Sequence, residues 1–215
     1  MPFGAAKREE ANVILIQVAN ALASPAEPES FHCDEKVMTM IKTARARHEA
    51  GMRFAISTGS GHTLAVDDAD GDSAPRPAEL LLAAQAGCAA LDVASILAKK
   101  RQAFGSYEVA VTGEQREDRH PHVYERIDIV HEFDGVDLDT DAVRRAIELS
   151  ATRYCTASAV FSAGPAEIHH RYQIRRADGR PDEAGEVVVT GPGDDPDALG
   201  ERWSAGARTP AGMTR

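Results

Sequence analysis

The sequence predicts an α+β fold, and three observations carry that reading. Short alternating runs cluster before residue 67, an 18-residue apolar segment occupies Leu80–Leu97, and two long period-two runs follow it. The resulting order is strands, helix, strands, helix, strand, which is unlike the strict alternation of a parallel α/β fold. With 215 residues, 43% of them hydrophobic, the chain is long enough to build one domain of ordinary size with appendages.

Residues 1–37 read as a helical extension and linker. Lys7 and Arg8 precede the apolar run Val13-Ile14-Leu15-Ile16, and Ala21-Leu22-Ala23 resembles a signal cleavage site. Glu9 and Glu10 spoil the positive region, and Asn12, Gln17 and Asn20 interrupt the apolar one, so an amphipathic helix over 7–22 is expected instead of a signal. Residues 24–36 form a linker that carries Cys33. Because Met38 and Met40 stand just before the first strand-like run, this extension is expected to be dispensable or its start mis-assigned.

The folded domain is expected over residues 38–176. KTARARHE, MRFAIST and HTLAVD alternate and are separated by Ala50-Gly51 and Gly59-Ser60-Gly61, which predicts a small meander. The polar loop DADGDSAPRP leads to a helix with Pro77 at its first position and Glu79 in its first turn. Its body, LLLAAQAGCAALDVASIL, is closed by Lys99-Lys100-Arg101, where the helix dipole favours positive charge. Gln85, Asp92 and the many alanines argue against a membrane span. A helix apolar on every face must be buried on every face, and a chain this small surrounds one most easily with a second copy, so a homodimer is expected.

FGSYEVAVTGEQR and HVYERIDIVHEF then read as two long antiparallel strands with one face in solvent. Asp137–Asp141 opens a second helix, capped by Asp139 or Thr140, with Ala142, Val143, Ala146, Ile147 and Leu149 on its apolar stripe. That helix runs towards Tyr154-Cys155. A short helical segment ends near Gly164-Pro165, and AEIHHRYQI reads as the last strand. Residues 177–215 hold 7 of the 17 glycines and 4 of the 11 prolines, so a disordered acidic tail is expected there.

Charge and cysteine usage exclude several classes. The net charge of −10 argues against a nucleic-acid partner. Three widely spaced cysteines, Cys33, Cys88 and Cys155, exclude a disulfide scaffold and match no CxxC pattern. Cys88, in the middle of the long helix, is open to two readings: a buried small hydrophobe or a reactive thiol. Gln85 and Asp92 share its face, whereas Glu79 points the opposite way. A carboxylate at Asp92 would raise the thiol pKa, so a reactive Cys88 calls for a cation from elsewhere. The eight histidines, including His120, His122 and the pair His169-His170, are read as surface residues, and no metal or cofactor is expected.

The stretches PRPAELLLAAQAGCAALDVASILAKKR, HPHVYERIDIVHEFDG and DAVRRAIELSATRYC resemble the OsmC/Ohr superfamily of bacterial thiol-dependent peroxidases. The resemblance spans residues 41–176 and is closest to a branch whose helix reads GC-x-A-x-DV-x-SIL and whose second cysteine follows a tyrosine. It implies an OsmC-like fold, with antiparallel sheets wrapped around a long central helix in an intertwined homodimer whose active sites lie at the interface. It also implies that Cys88 attacks an organic hydroperoxide, that Cys155 resolves the sulfenic acid as a disulfide, and that a dithiol reductant, a lipoyl protein being one candidate, reopens it. The stabilising arginine would come from the N-terminal hairpin, with Arg53 the first candidate and Arg45 and Arg47 after it. Glu79 is the candidate salt-bridge partner of that arginine, although it stands one position later than the glutamate of the peroxidases, and Thr156 replaces the proline that follows their second cysteine. A cytoplasmic enzyme, with no nucleic-acid or membrane partner, is the expectation. The alternative is a non-catalytic dimer of the same fold that binds a small apolar ligand at its interface.

Overall fold

The computed structural model describes residues 40–195. The expected helix over 7–22, the linker with Cys33 and the tail beyond residue 195 lie outside the described residues. Among the described residues, those from Lys42 onward form one unit.

The first three strands, β1 (Ala44–Ala50), β2 (Arg53–Thr58) and β3 (Thr63–Val66), make an antiparallel meander in the order β1-β2-β3. Gly51 turns β1 into β2 at φ +57, a conformation in which a side chain would be strained. This sheet hides little of itself. Every residue of β1 is exposed, and Val66 is the one buried residue on its three strands.

The loop after β3 is organised by Asp67, whose carboxylate accepts hydrogen bonds from Ser73 Oγ at 2.6 Å and Ser73 N at 3.2 Å. It delivers the chain to helix α1 (Pro77–Lys99). The Glu79 carboxylate accepts from the Arg76 backbone N–H at 2.8 Å and so closes the first turn. One stripe of α1, Gln85, Ala89, Val93 and Leu97 at four-residue spacing, is buried within the chain. The remainder is not covered within this chain: Leu81 is 52% and Leu91 76% exposed. By length and composition α1 is also long enough to cross a membrane, but its buried stripe faces β4, α2 and α3 of this chain.

A second sheet has the order β4 (Ser106–Gln115), β5 (Tyr124–Asp134), β6 (Glu167–Arg175), β7 (Glu183–Thr190). The pair β4/β5 is antiparallel, as expected, and so is β6/β7, a pair the sequence reading did not include. The pair β5/β6 is parallel, in contrast to the antiparallel pairing expected throughout. The reason is the long connection. Between these strands the chain passes through α2 (Thr140–Leu149), a π-helical turn (Ser150–Tyr154) and α3 (Thr156–Ala163), the kind of crossover that a parallel pair requires. Asp139 caps α2 by accepting from Asp141 N at 3.0 Å.

Within the described residues, strand β7 corrects the reading of a disordered tail after residue 176. Its apolar content is small, but its backbone pairs with β6 from Glu183 to Thr190, Arg176 is tied to Glu183 at 2.7 Å, and buried Thr190 bonds Ser162 at 2.9 Å. An edge strand draws its stability from ladder hydrogen bonds as well as apolar burial, so composition alone understated it. Gly185 lies against the Tyr172 ring, where an added Cβ would sit 3.2 Å from a ring carbon.

Alternation along β5 and β6 sends Ile127, Ile129, His131 and Phe133, and Ile168, His170, Tyr172 and Ile174, into the interior beneath the helices. The apolar core is divided in two. One cluster joins Val93, Leu97, Phe133, Val143, Ile147 and Ile174; the other joins Tyr124, Ile127, Ile129, Ala166 and Ile168. Between them along the same elements stand His131, His170 and Gln85, all fully buried. A polar seam therefore separates the two apolar clusters.

Candidate active site

The two thiols predicted to cooperate meet in this seam. Cys88 projects from the middle of α1 and is partly exposed, whereas Cys155, at the junction of the π turn and α3, is buried with 2% exposure. Cys88 Sγ, Cys155 Sγ and a carboxylate oxygen of Asp92 all lie within 4.8 Å of one another. Both cysteines are free thiols.

The π turn positions Cys155. The Cys155 N–H donates to Ser150 O at 2.9 Å, five residues back, which ends the helical run and leaves Cys155 in an extended conformation as the N-cap of α3. From that position its Sγ accepts from Ser158 N at 3.4 Å and from Gln85 Nε2 at 3.7 Å. Gln85 Nε2 also donates to Ser158 Oγ at 2.8 Å. Cys88 occupies a mid-helix position and gains no such terminus. Burial nevertheless dominates at Cys155, where it pushes the thiol up to about 11, assisted by a hydrogen bond with Cys88.

Asp92 sits one turn beyond Cys88. Burial raises its carboxyl pKa, and a hydrogen bond from Ser150 Oγ at 3.2 Å partly offsets that shift. Below it, Tyr107 Oη and His131 Nδ1 are 2.8 Å apart. Burial and then the charge of Asp92 raise the Tyr107 pKa, so the phenol stays protonated. Burial also depresses His131 and His170 to about 3, and both are neutral at ordinary pH. This corrects the reading of all eight histidines as surface residues. The inward positions of the β5 and β6 alternation carried the missed signal. Gln85 Oε1, His131 Nε2 and His170 Nε2 have no hydrogen-bond partner among the described residues, which marks the seam as the least satisfied part of the interior.

The other predicted residues are placed elsewhere. Arg53 on β2 donates to Glu49 at 3.1 Å and to Ser73 Oγ at 2.7 Å, and bonds neither thiol. Arg45 and Arg47 lie on the wholly exposed β1. Glu79 is engaged with Arg76 at the start of α1, not with Arg53. His169 gives both ring nitrogens to Glu167 and Glu186, and His170 points to the opposite face. Two thiols and a carboxylate are donor types that could hold a thiophilic cation. Here Ser150 already occupies Asp92, and Gln85 and Ser158 already occupy Cys155. A cleft near Gly105, Asp134 and Arg175 is lined by charges and contains neither thiol.

The sequence residues that complete the cluster are Ser150 and Ser158, which pattern reading did not single out. Ser158 was detectable as the third residue after an N-cap; Ser150 carried no local signal.

Residues 69–188 match the family described as OsmC-like protein. The chain is 38% identical over 131 residues to Protein YhfA of Escherichia coli strain K12, a match that covers 61% of this chain and 96% of that protein. A solved structure of a hypothetical protein from Aquifex aeolicus VF5 is 25% identical, with a TM-score of 0.57 over 65% of this chain and 100% of that one. The OsmC like protein from Mycoplasma pneumoniae, 13% identical, shares the fold with a TM-score of 0.57 over 64% of this chain and 99% of that one. On the family match and the near-complete coverage of its relative, the chain belongs to the OsmC-like protein family.

Proposed function

We propose that the chain is a thiol-dependent peroxidase that reduces organic hydroperoxides, with Cys88 as the attacking thiol and Cys155 as the resolving one. The observation that carries this reading is the approach of the two sulfurs to within 4.8 Å from elements 67 residues apart. Exposure supports the division of roles, because Cys88 is the thiol that a substrate can reach. The Cys88 thiolate attacks the hydroperoxide, the O–O bond breaks, and the alcohol departs with a proton, leaving a sulfenic acid. Cys155 then closes the disulfide with loss of water, and a dithiol reductant such as a lipoyl protein reopens it. The cycle needs no cofactor. It does need a reducing compartment, which makes the cytoplasm the expected location.

The same reading includes a homodimer. Leu81 and Leu91 leave an apolar face on α1, and β1 is exposed along its length, features that suit burial against a second copy. Arg53 would stabilise the Cys88 thiolate only as a residue of the partner's hairpin, since within its own chain it is held by Glu49 and Ser73. Glu79, engaged by Arg76, would then serve the helix start.

Consumption of cumene hydroperoxide with a dithiol reductant tests the proposal. The Cys88→Ser variant is expected to fall to the uncatalysed rate, and Cys155→Ser to accumulate a sulfenic acid that dimedone traps. Equal rates for wild type and Cys88→Ser would remove Cys88 from the chemistry and favour the apolar-ligand module.

A further inference from the structure

We propose that Asp92 is the proton carrier of the dithiol, taking the proton of Cys155 as the disulfide closes and returning it as the disulfide opens. The proposal deepens the reading of Cys88 and Cys155 as a working pair and rests on it.

The geometry is the argument. Asp92 follows Cys88 by four residues on α1, so the two share a face, and its carboxylate lies within 4.8 Å of both sulfurs. A carboxylate withdrawn from water in a purely structural role usually faces a cation, and Asp92 is partly buried. Asp92 receives one neutral hydrogen bond, from Ser150 Oγ at 3.2 Å, and no Lys or Arg contributes to its protonation among the described residues. The titratable groups that face it are Cys88 from α1, Cys155 from the start of α3 and Tyr107 from β4, and Ser150 faces it from the end of α2. Tyr107 stays protonated, which leaves the two thiols as the groups with which Asp92 can exchange a proton.

The chemistry requires such a group. With its thiol raised to about 11, only roughly one Cys155 in 10⁴ is ionised near neutral pH. Burial also raises the carboxyl pKa of Asp92, which narrows its gap to the thiol. In closure, Asp92 accepts the S–H proton while Cys155 Sγ attacks Cys88 Sγ. The S–S bond forms, the bond from Cys88 sulfur to its leaving group breaks, and in the peroxidase cycle the proton passes to the departing hydroxyl, which leaves as water. The Cys155 sulfur is oxidised, the Cys88 sulfur is reduced, and nothing else is consumed. On reopening, a reductant thiol attacks Cys88, and its proton reaches the departing Cys155 sulfur through Asp92. The carboxylate that reads from sequence as a liability for Cys88 thus becomes the base for Cys155.

Ellman's reagent tests this without any peroxide. On the reduced full chain carrying Cys33→Ser, attack by the accessible Cys88 releases one chromophore, and closure by Cys155 releases the second. Asp92→Asn is expected to slow the second phase about 100-fold near neutral pH without slowing the first, and Asp92→Glu to recover part of the loss. The wild-type closure rate should flatten at a pH well below the Cys155 titration, whereas that of Asp92→Asn should keep rising about tenfold per pH unit. Closure in Asp92→Asn within about twofold of wild type, with the same pH profile, would overturn the proposal. Were that variant not to fold, a wild-type closure rate that rises tenfold per pH unit through the neutral range would overturn it alone. Failure to turn over hydroperoxides would refute the peroxidase reading and leave this result standing, so the two fail separately.

Discussion

The two sheets of this chain are built to different rules. In the four-stranded sheet, β5 and β6 bury alternate residues along their whole length, and the helices α1, α2 and α3 lie over that face. In the three-stranded sheet, β1 buries nothing and Val66 is the one residue fully inside. Burial at about 25 cal/mol per Å² stabilises the first without outside help and cannot stabilise the second to the same degree. The contrast separates a body that buries its own apolar residues from surfaces that this chain leaves open, the polar strand β1 and the exposed Leu81 and Leu91 of α1.

The largest expected effect lies in the body. Phe133→Ala removes a fully buried ring that stacks on Tyr107 with centroids 4.4 Å apart, and should cost about 3–5 kcal/mol in denaturant unfolding. The next is pH dependence from the seam. His131 and His170 are neutral in the folded chain and depressed to about 3, while the unfolded chain protonates both near 6.5. Their contribution is therefore complete above about pH 6.5 and falls by about 1.4 kcal/mol per pH unit for each histidine as pH drops towards 3. Unfolding midpoints followed from neutral pH down to about pH 5 should decline less steeply in His170→Leu, and an unchanged slope would remove His170 from the account. For the outer surfaces, Leu91→Glu should leave unfolding of the chain within about 0.5 kcal/mol yet weaken the proposed self-association at least tenfold, about 1.4 kcal/mol, in sedimentation. Asp139→Ala should cost about 1 kcal/mol by removing the α2 cap. Smallest of all, Leu64→Ala in the exposed sheet should cost about 0.5 kcal/mol or less as a single chain.

A second contrast lies within the site. Cys88 is reachable but lacks a helix terminus, and Cys155 has the α3 N-terminus but is sealed from solvent. The fold divides access and helix-terminus position between the two thiols and sets the Asp92 carboxylate beside both.

Much of this was legible in the sequence. Period-two runs located β1 to β6, Pro77 and the Lys99-Lys100-Arg101 close bracketed α1, and the spacing of Gln85, Cys88 and Asp92 put them on one face, because those signals depend only on local geometry and side-chain polarity. The family resemblance pairs Cys88 with Cys155, and their sulfurs lie within 4.8 Å of each other. What sequence could not fix were relations between distant segments. The parallel β5/β6 pair follows from the crossover through α2 and α3, β7 from an available sheet edge, and the burial of His131 and His170 from the helices that cover their face. Arg53 has the charge and the hairpin position that the resemblance calls for, but tertiary packing sets it against Glu49 and Ser73. Local pattern determined which residues face together on each element; only packing decided which of those faces meet, because that choice depends on the burial of all of them at once.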